Sequence, residues 1–383
     1  MFRYALKMLI NDRAKYVGIV TGLSFASFII VQQASIFVGL MLRTIGFIYD
    51  TPQPDVWVMD DKVQFIDDTK PMSDTRLYRV RGIDGVAWAV PLYKGILKAR
   101  LNSGNYQNCN LIGVDSATLI GAPPIMLEGD IISLRDPDAI IVDTVGANDK
   151  LSLDFPVRSQ PLVNGDVIEI NDKRAKVVGI CKAARTFQSQ PTVYTTYNRA
   201  LNYAPNERKL LSFILVKAKE GISPKDLARS ITNMTGLKAF DREDFRWLTI
   251  SYYLKYTGIP INFGISVLLG FIIGTAIAGQ TFYNFTLDNL RYFATFRAMG
   301  APMTMLRKMI LLQSFWVGGI GWGIGTGAAS IFGFVSKNSE LSFVLTWWLF
   351  LASMTAVGLI SALSSFLSLK KIEKMDASIV FKS

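Results

Sequence analysis

Four stretches of the chain are almost continuously apolar, at residues 17–42, 259–286, 309–336 and 343–368. About 20 such residues cross the roughly 30 Å hydrocarbon core of a bilayer as a helix, so each stretch is long enough to span it. Before the first, Phe2, Leu6, Leu9 and Ile10 recur at helical spacing between Arg3, Lys7 and Arg13. That pattern fits an amphipathic helix on a membrane surface, or an inward extension of the first span. The long segment between the first two stretches has a different texture. Runs at 55–59, 139–142, 167–170 and 175–180 are alternating or β-branched and predict strands, with turn signals at Asn164-Gly165-Asp166 and Asn171-Asp172-Lys173 between them. Helical patches lie near 71–80 and 224–234, the second opening on Ser223 and Pro224 as N-cap and first helical residue. The fold class that follows is an α-helical membrane protein with four transmembrane helices. A large α+β extracytoplasmic domain, in two lobes, is inserted between helices 1 and 2. The boundaries are an amphipathic helix at 1–16, spans at 17–43, 258–287, 309–336 and 343–368, and the inserted domain at 44–257. A loop at 288–308, a short loop at 337–342 and a tail at 369–383 complete the chain.

Composition agrees: 50% hydrophobic and 19% charged residues argue against an ordinary soluble protein. A net charge of +11 would suggest nucleic acid as a partner, but the placement of the charge decides otherwise. Residues 1–16 and 287–308 each hold four basic residues against one acidic, and 369–383 hold four against two, so these short segments carry +8 of the +11. Positive charge concentrated in short loops marks the cytoplasmic side. Both termini and the 288–308 loop are therefore expected inside, with 44–257 and 337–342 outside, and the nucleic-acid reading loses its support. The first apolar stretch exceeds the h-region of a signal peptide and has no clear small-residue cleavage site, so a retained helix is expected.

The chemistry of a self-sufficient enzyme is missing. There is no G-x-x-x-x-G-K-[ST] phosphate loop, no dinucleotide fingerprint, no serine-nucleophile elbow and no histidine. Asp60-Asp61 and Asp67-Asp68 are expected as solvated surface and not as an acid/base pair. Cys109 and Cys181 both fall outside, where a disulfide is permitted and two buried free thiols are the other reading. Gln32, Gln33, Gln280, Gln313 and Ser314 lie within spans and are expected to hydrogen-bond neighbouring helices. Gly319, Gly323 and Gly327 repeat at four-residue spacing, with Gly321 and Gly325 on a neighbouring face. Such spacing lets helix backbones approach closely, within the chain or across a dimer seam.

The distinctive stretch is Asp288 to Pro302. Leu290, Phe293, Ala294 and Arg297 follow helical spacing, Gly300 fits a C-terminal cap and Pro302 the start of the next helix. A short helix with projecting aromatic and basic side chains suits insertion into a groove of another protein, though a plain interfacial linker fits the same pattern.

The run Tyr292-Phe293-Ala294-Thr295-Phe296-Arg297-Ala298-Met299-Gly300-Ala301 is similar to the coupling segment of FtsX-like (MacB-type) ABC transporter permeases, closest to the DevC-like branch. Asn11-Asp12-Arg13, Leu111-Ile112-Gly113-Val114-Asp115 and Met375-Asp376-Ala377-Ser378-Ile379-Val380-Phe381 resemble further family features. The resemblance implies a non-catalytic permease subunit with no cofactor of its own, ATP being used by a separate cytoplasmic ABC ATPase subunit. It implies a multi-pass protein of the bacterial inner membrane, a homodimer with a second permease copy, and mechanotransmission that drives export or efflux. A periplasmic membrane-fusion adaptor and an outer-membrane duct would be further partners. The alternatives are a non-transporting complex that regulates an envelope enzyme or sensor, and lipoprotein extraction. Leu290, Arg291, Phe293, Phe296, Arg297, Met299 and Gly300 become the expected ATPase-coupling residues, and Gly319, Gly323 and Gly327 the helix-packing ones. Two positions depart from the family pattern: Tyr292 and Ser314 stand where relatives commonly have glutamate.

Overall fold

The computed structural model describes residues 2–101, 103–152, 160–206 and 209–373, and within them the chain forms two compact units. One gathers the N-terminal segment and everything from Gly258 onward; the other is Met41–Thr257.

The first unit is helical. A short helix Phe2–Asn11 is followed, after a break at Asp12, by Arg13–Thr44, and then come Ile259–Asp288, Met303–Val335 and Trp347–Glu373. The last four contain windows long and apolar enough to cross a membrane. Asp12 makes the break: its carboxylate accepts the Lys15 backbone N–H at 3.4 Å, as an N-cap does. The N-terminal segment is thus a separate helix and not an extension of the first span. Its inner face differs from the expected one, because Ala5 and Leu9 are buried while Ile10 is half exposed.

The span limits also shift. The third helix starts at Met303, ahead of the apolar stretch at 309, because Pro302 is fixed in extended conformation as its N-cap. The fourth starts at Trp347 and not at 343. Residues before it are held in a non-helical strap, where the Val344 N–H donates to the Ser35 carbonyl at 3.1 Å and Phe343 meets Phe332 edge-on at 6.2 Å. The fourth helix continues into the expected tail as far as Glu373, and 374–383 lie outside the described residues.

Helix packing uses glycine, but not the predicted face. A Cβ on Gly319, Gly323 or Gly327 would meet nothing within 4 Å, whereas on Gly321 it would lie 2.7 Å from Leu23 Cβ and on Gly325 2.6 Å from Ser27 Cβ. The neighbouring Gly321/Gly325 face is therefore the one that lets the third span lie against the first, and the Gly319/Gly323/Gly327 assignment to packing within the chain is corrected. Both faces show the same four-residue spacing, so only the position of the first span could separate them.

The second unit is built on a ten-stranded mixed sheet: β1 Val56–Met59, β2 Val86–Arg100, β3 Tyr106–Val114, β4 Ile125–Gly129, β5 Ala139–Asp143, β6 Val167–Ile170, β7 Lys173–Lys182, β8 Thr192–Thr196, β9 Phe213–Ala218 and β10 Lys238–Asp241. Its order is β10-β1-β9-β2-β3-β8-β5-β7-β4, with β6 against β2 and β7; β3–β8 and β5–β7 are parallel. Asn171 and Asp172, both at positive φ, form the tight turn that joins β6 to β7.

The expected two lobes are in fact two strand groups that share β2. Val86–Leu92 pairs with β9 and Tyr93–Arg100 with β3. Hydrophobic cores cover both faces: Val56, Val58, Ile140 and Val142 enter one, and Trp57, Met59, Ala139 and Ile141 the other. Burial on both faces explains why these strands read as continuous apolar runs. The helices Asp74–Arg81 and Pro224–Thr235 form where the sequence placed them, the latter closed by Gly236 in left-handed conformation.

Candidate functional site

The segment 288–302 is folded by its own local signals. Asn289 ends the second span by donating from its backbone N–H and side-chain amide to the Phe285 carbonyl, at 3.1 and 2.9 Å. Its own carbonyl accepts the Tyr292 and Phe293 N–H groups and starts the helix Leu290–Ala298. At the other end the Gly300 N–H donates to Arg297 and the Ala301 N–H to Phe296, both at 3.0 Å, with Gly300 at φ +90°. This is a Schellman closure, and it requires the conformation that glycine adopts without strain.

The helix has two faces. Phe293 and Ala294 are fully buried in one apolar cluster with Ala5, Leu306, Met309 and Ile310, while Leu290 and Phe296 pack at its edge. Arg291, Tyr292, Thr295, Ala298 and Met299 point outward, Tyr292 60% and Met299 73% exposed. Arg297 is half buried. The expected coupling set therefore divides. Arg291, Met299 and Gly300 lie on the accessible side, while Phe293 belongs to the chain's own core and is withdrawn from any docking face. Leu290 and Phe296 mainly seat the helix. Tyr292 and Thr295 are the docking candidates that the sequence reading left out, although the spacing that named Leu290, Phe293, Ala294 and Arg297 defines its complement at 291, 292, 295, 298 and 299.

The seat has further parts. The side chain of Gln313 is fully buried, and its Nε2 donates to the Ala5 carbonyl at 2.7 Å. Ser314 donates to the Ser361 carbonyl at 2.5 Å and so ties the third span to the fourth. Lys15 pairs with Asp12 at 2.8 Å and with Asp288, the last residue of the second span.

A model of the FtsX-like permease C-terminal region matches residues 264–377, which include this helix and the second to fourth spans, and a model of the MacB-like periplasmic core domain matches residues 17–234. The chain belongs to the MacB/FtsX family of ABC transporter permeases. Among its relatives, an uncharacterized ABC transporter permease of Mycobacterium tuberculosis is 23% identical over 318 residues, 81% of this permease and 79% of the relative. One of Methanocaldococcus jannaschii is 27% identical over 166 residues, 42% of this permease and 41% of the relative's length. Among solved structures, the periplasmic region of MacB from Actinobacillus actinomycetemcomitans is 13% identical with a TM-score of 0.37, covering 57% of this permease and 98% of that chain. The extracellular domain of the noncanonic ABC-type transporter YknZ from Gram-positive bacteria gives 14% and 0.34, covering 49% and 99%.

Among its described residues, the inserted domain of this permease offers cavities but no catalytic constellation. One of about 340 Å³ is lined by Asp67, Tyr93, Lys94, Leu97, Leu210 and Ser212. Lys94, 5% exposed, ion-pairs with Asp67, while Asp68 pairs with Lys70 at 2.7 Å and accepts the Gln64 N–H. Asp67 is thus the counter-charge of a buried lysine and not simply solvated surface. Cys109 and Cys181 are free and buried, one in each core. Burial pushes the Cys109 thiol up to about 12 and the Cys181 thiol higher still. No group of three or more His, Cys, Asp or Glu able to hold a metal ion occurs among the described residues.

Proposed function

We propose that this permease couples ATP hydrolysis in a separate cytoplasmic ATPase subunit to motion of its inserted domain on the far side of the membrane, and so drives export with a periplasmic adaptor. The observation that carries the reading is the outward face of Leu290–Ala298. A helix whose inner side is fully packed holds Arg291, Tyr292, Thr295 and Met299 outward in fixed geometry. An aromatic, a thioether and a cation on one short helix suit insertion into an apolar groove with an acidic rim. The placement of basic residues in 1–16 and 287–308 supports a cytoplasmic location for that face. The absence of a phosphate loop from the sequence supports a separate motor. The Gly319/Gly323/Gly327 face, open in the single chain, suits a second permease copy.

The test is co-purification of a cytoplasmic ABC ATPase subunit with the wild-type permease and with its Tyr292→Asp and Met299→Asp variants. Each change puts a charge where an apolar anchor would be desolvated, on the order of 2–4 kcal/mol, so association should weaken at least tenfold. Full association with both variants would overturn the docking assignment. Co-purification with an envelope hydrolase or a sensor, and no adaptor, would replace export by regulation.

A further inference from the structure

We infer that the N-terminal helix Phe2–Asn11 is the seat of the coupling helix, with Gln313 and Lys15 as the positioning residues that fix Leu290–Ala298 to the feet of the first and third spans. The inference rests on the coupling role proposed above for what moves the helix, but the attachment is a property of the permease alone.

Three contacts converge. Ala5, Phe293, Ala294, Leu306, Met309 and Ile310 form one buried cluster, so three helices share a single apolar contact. Gln313 then joins the third span to the N-terminal helix through the Ala5 carbonyl, and its Oε1 is buried with no partner among the described residues. A buried amide half satisfied in apolar surroundings is unfavourable in itself, so its value lies in the bond that its Nε2 makes. Lys15, near the start of the first span, bridges Asp12 at the helix break and Asp288 at the end of the second span. Asp288 directly precedes Asn289, whose carbonyl starts the coupling helix. Both ends of the linkage are thereby held, the helix body by the cluster and its N-terminal approach by the ion pair.

The consequence is directional. The helix that carries Lys15 runs unbroken from Arg13 to Thr44 and so delivers the chain into the inserted domain, which begins at Met41. A displacement of Leu290–Ala298 is shared at once with the foot of that helix. The attachment of the helix Leu290–Ala298 therefore reaches the first span, by way of the N-terminal helix, as well as the two spans that flank the loop.

The experiment is hydrogen exchange of the full chain in lipid nanodiscs, without any ATPase. It compares the wild type with Gln313→Leu, Lys15→Asp, Asp288→Lys and the double exchange Lys15→Asp/Asp288→Lys. Each single variant should speed exchange of amides 290–298 at least tenfold and leave amides 317–329 of the third span within twofold of wild type. The double variant restores an opposite-charge pair across the same gap but leaves a carboxylate at 15 beside Asp12, so it should recover part of the protection and exchange 290–298 more slowly than either single charge variant. Single variants indistinguishable from wild type at 290–298, or a double variant no better than the singles, would overturn the inference. Because no motor is present, failure here is separate from failure of the ATPase-docking assignment, which the Tyr292 and Met299 variants test.

Discussion

Asp143 has the most strongly perturbed carboxylate among those described. It caps the short helix Thr144–Asn148 and accepts the Thr192 and Gly146 N–H groups at 2.7 and 3.2 Å, one on each oxygen. Burial raises its carboxyl to about 6; the two N–H donors and Arg185 offset that only in part. The unfolded chain would release the same proton near ~3.9. Between those values the folded form binds more protons, so the stability from this group is full below about pH 4 and is lost as the pH rises through 6. It amounts to on the order of 2–3 kcal/mol. Exchange protection of β5 and β8, corrected for intrinsic rates, should therefore fall between pH 5 and 7.5 in the wild type. In Asp143→Asn it should be lower overall, because an amide accepts only one of the two N–H groups, and this part of the slope should vanish. An unchanged slope would assign the pH dependence elsewhere. The sequence showed an aspartate at the end of an apolar run, which is equally the signature of an exposed cap; burial of Asp143 itself made the difference.

Helices and strands were legible wherever a segment carries its own periodicity. The four candidate spans, the helix Leu290–Ala298 with its Gly300 closure, and the strands at 55–59, 139–142, 167–170 and 175–180 all depend on neighbours in the chain. Which face of each element is covered depends on partners far away in sequence, and there the expectations failed. Phe293 has the character of a docking anchor but is buried in the cluster it shares with Ala5, Leu306, Met309 and Ile310, and the open glycine face is 319/323/327 and not 321/325. The glycine faces predict opposite outcomes for one substitution. Gly325→Leu would drive a side chain into Ser24, Ser27 and Phe28 of the first span and should cost about 1–3 kcal/mol of bundle stability. Gly323→Leu enters open space and should leave the melting temperature of the detergent-solubilised monomer unchanged. Equal destabilisation by both would contradict the packing described for the third span.

For the molecule as a whole, the buried thiols make topology directly measurable. Cys109 and Cys181 are each fully buried, with thiols held above the ordinary range, so the native chain should react slowly with a maleimide and needs no cysteine-free background. Ser339→Cys, between the third and fourth spans, should label in intact cells. Thr295→Cys on the outward face of the helix Leu290–Ala298 should label only after permeabilisation, and the reverse order would invert the orientation drawn from charge placement. The sequence by itself determined the number of candidate spans and the side on which the basic loops are expected, because apolar length and loop charge are written in consecutive residues. The tertiary structure alone decided that Gln313 reaches Ala5, that Lys15 meets Asp288, that one sheet shares β2 between its strand groups, and which glycines carry a helix contact. Each of these joins residues remote in the chain, and their pairing is fixed by packing geometry that no local pattern encodes.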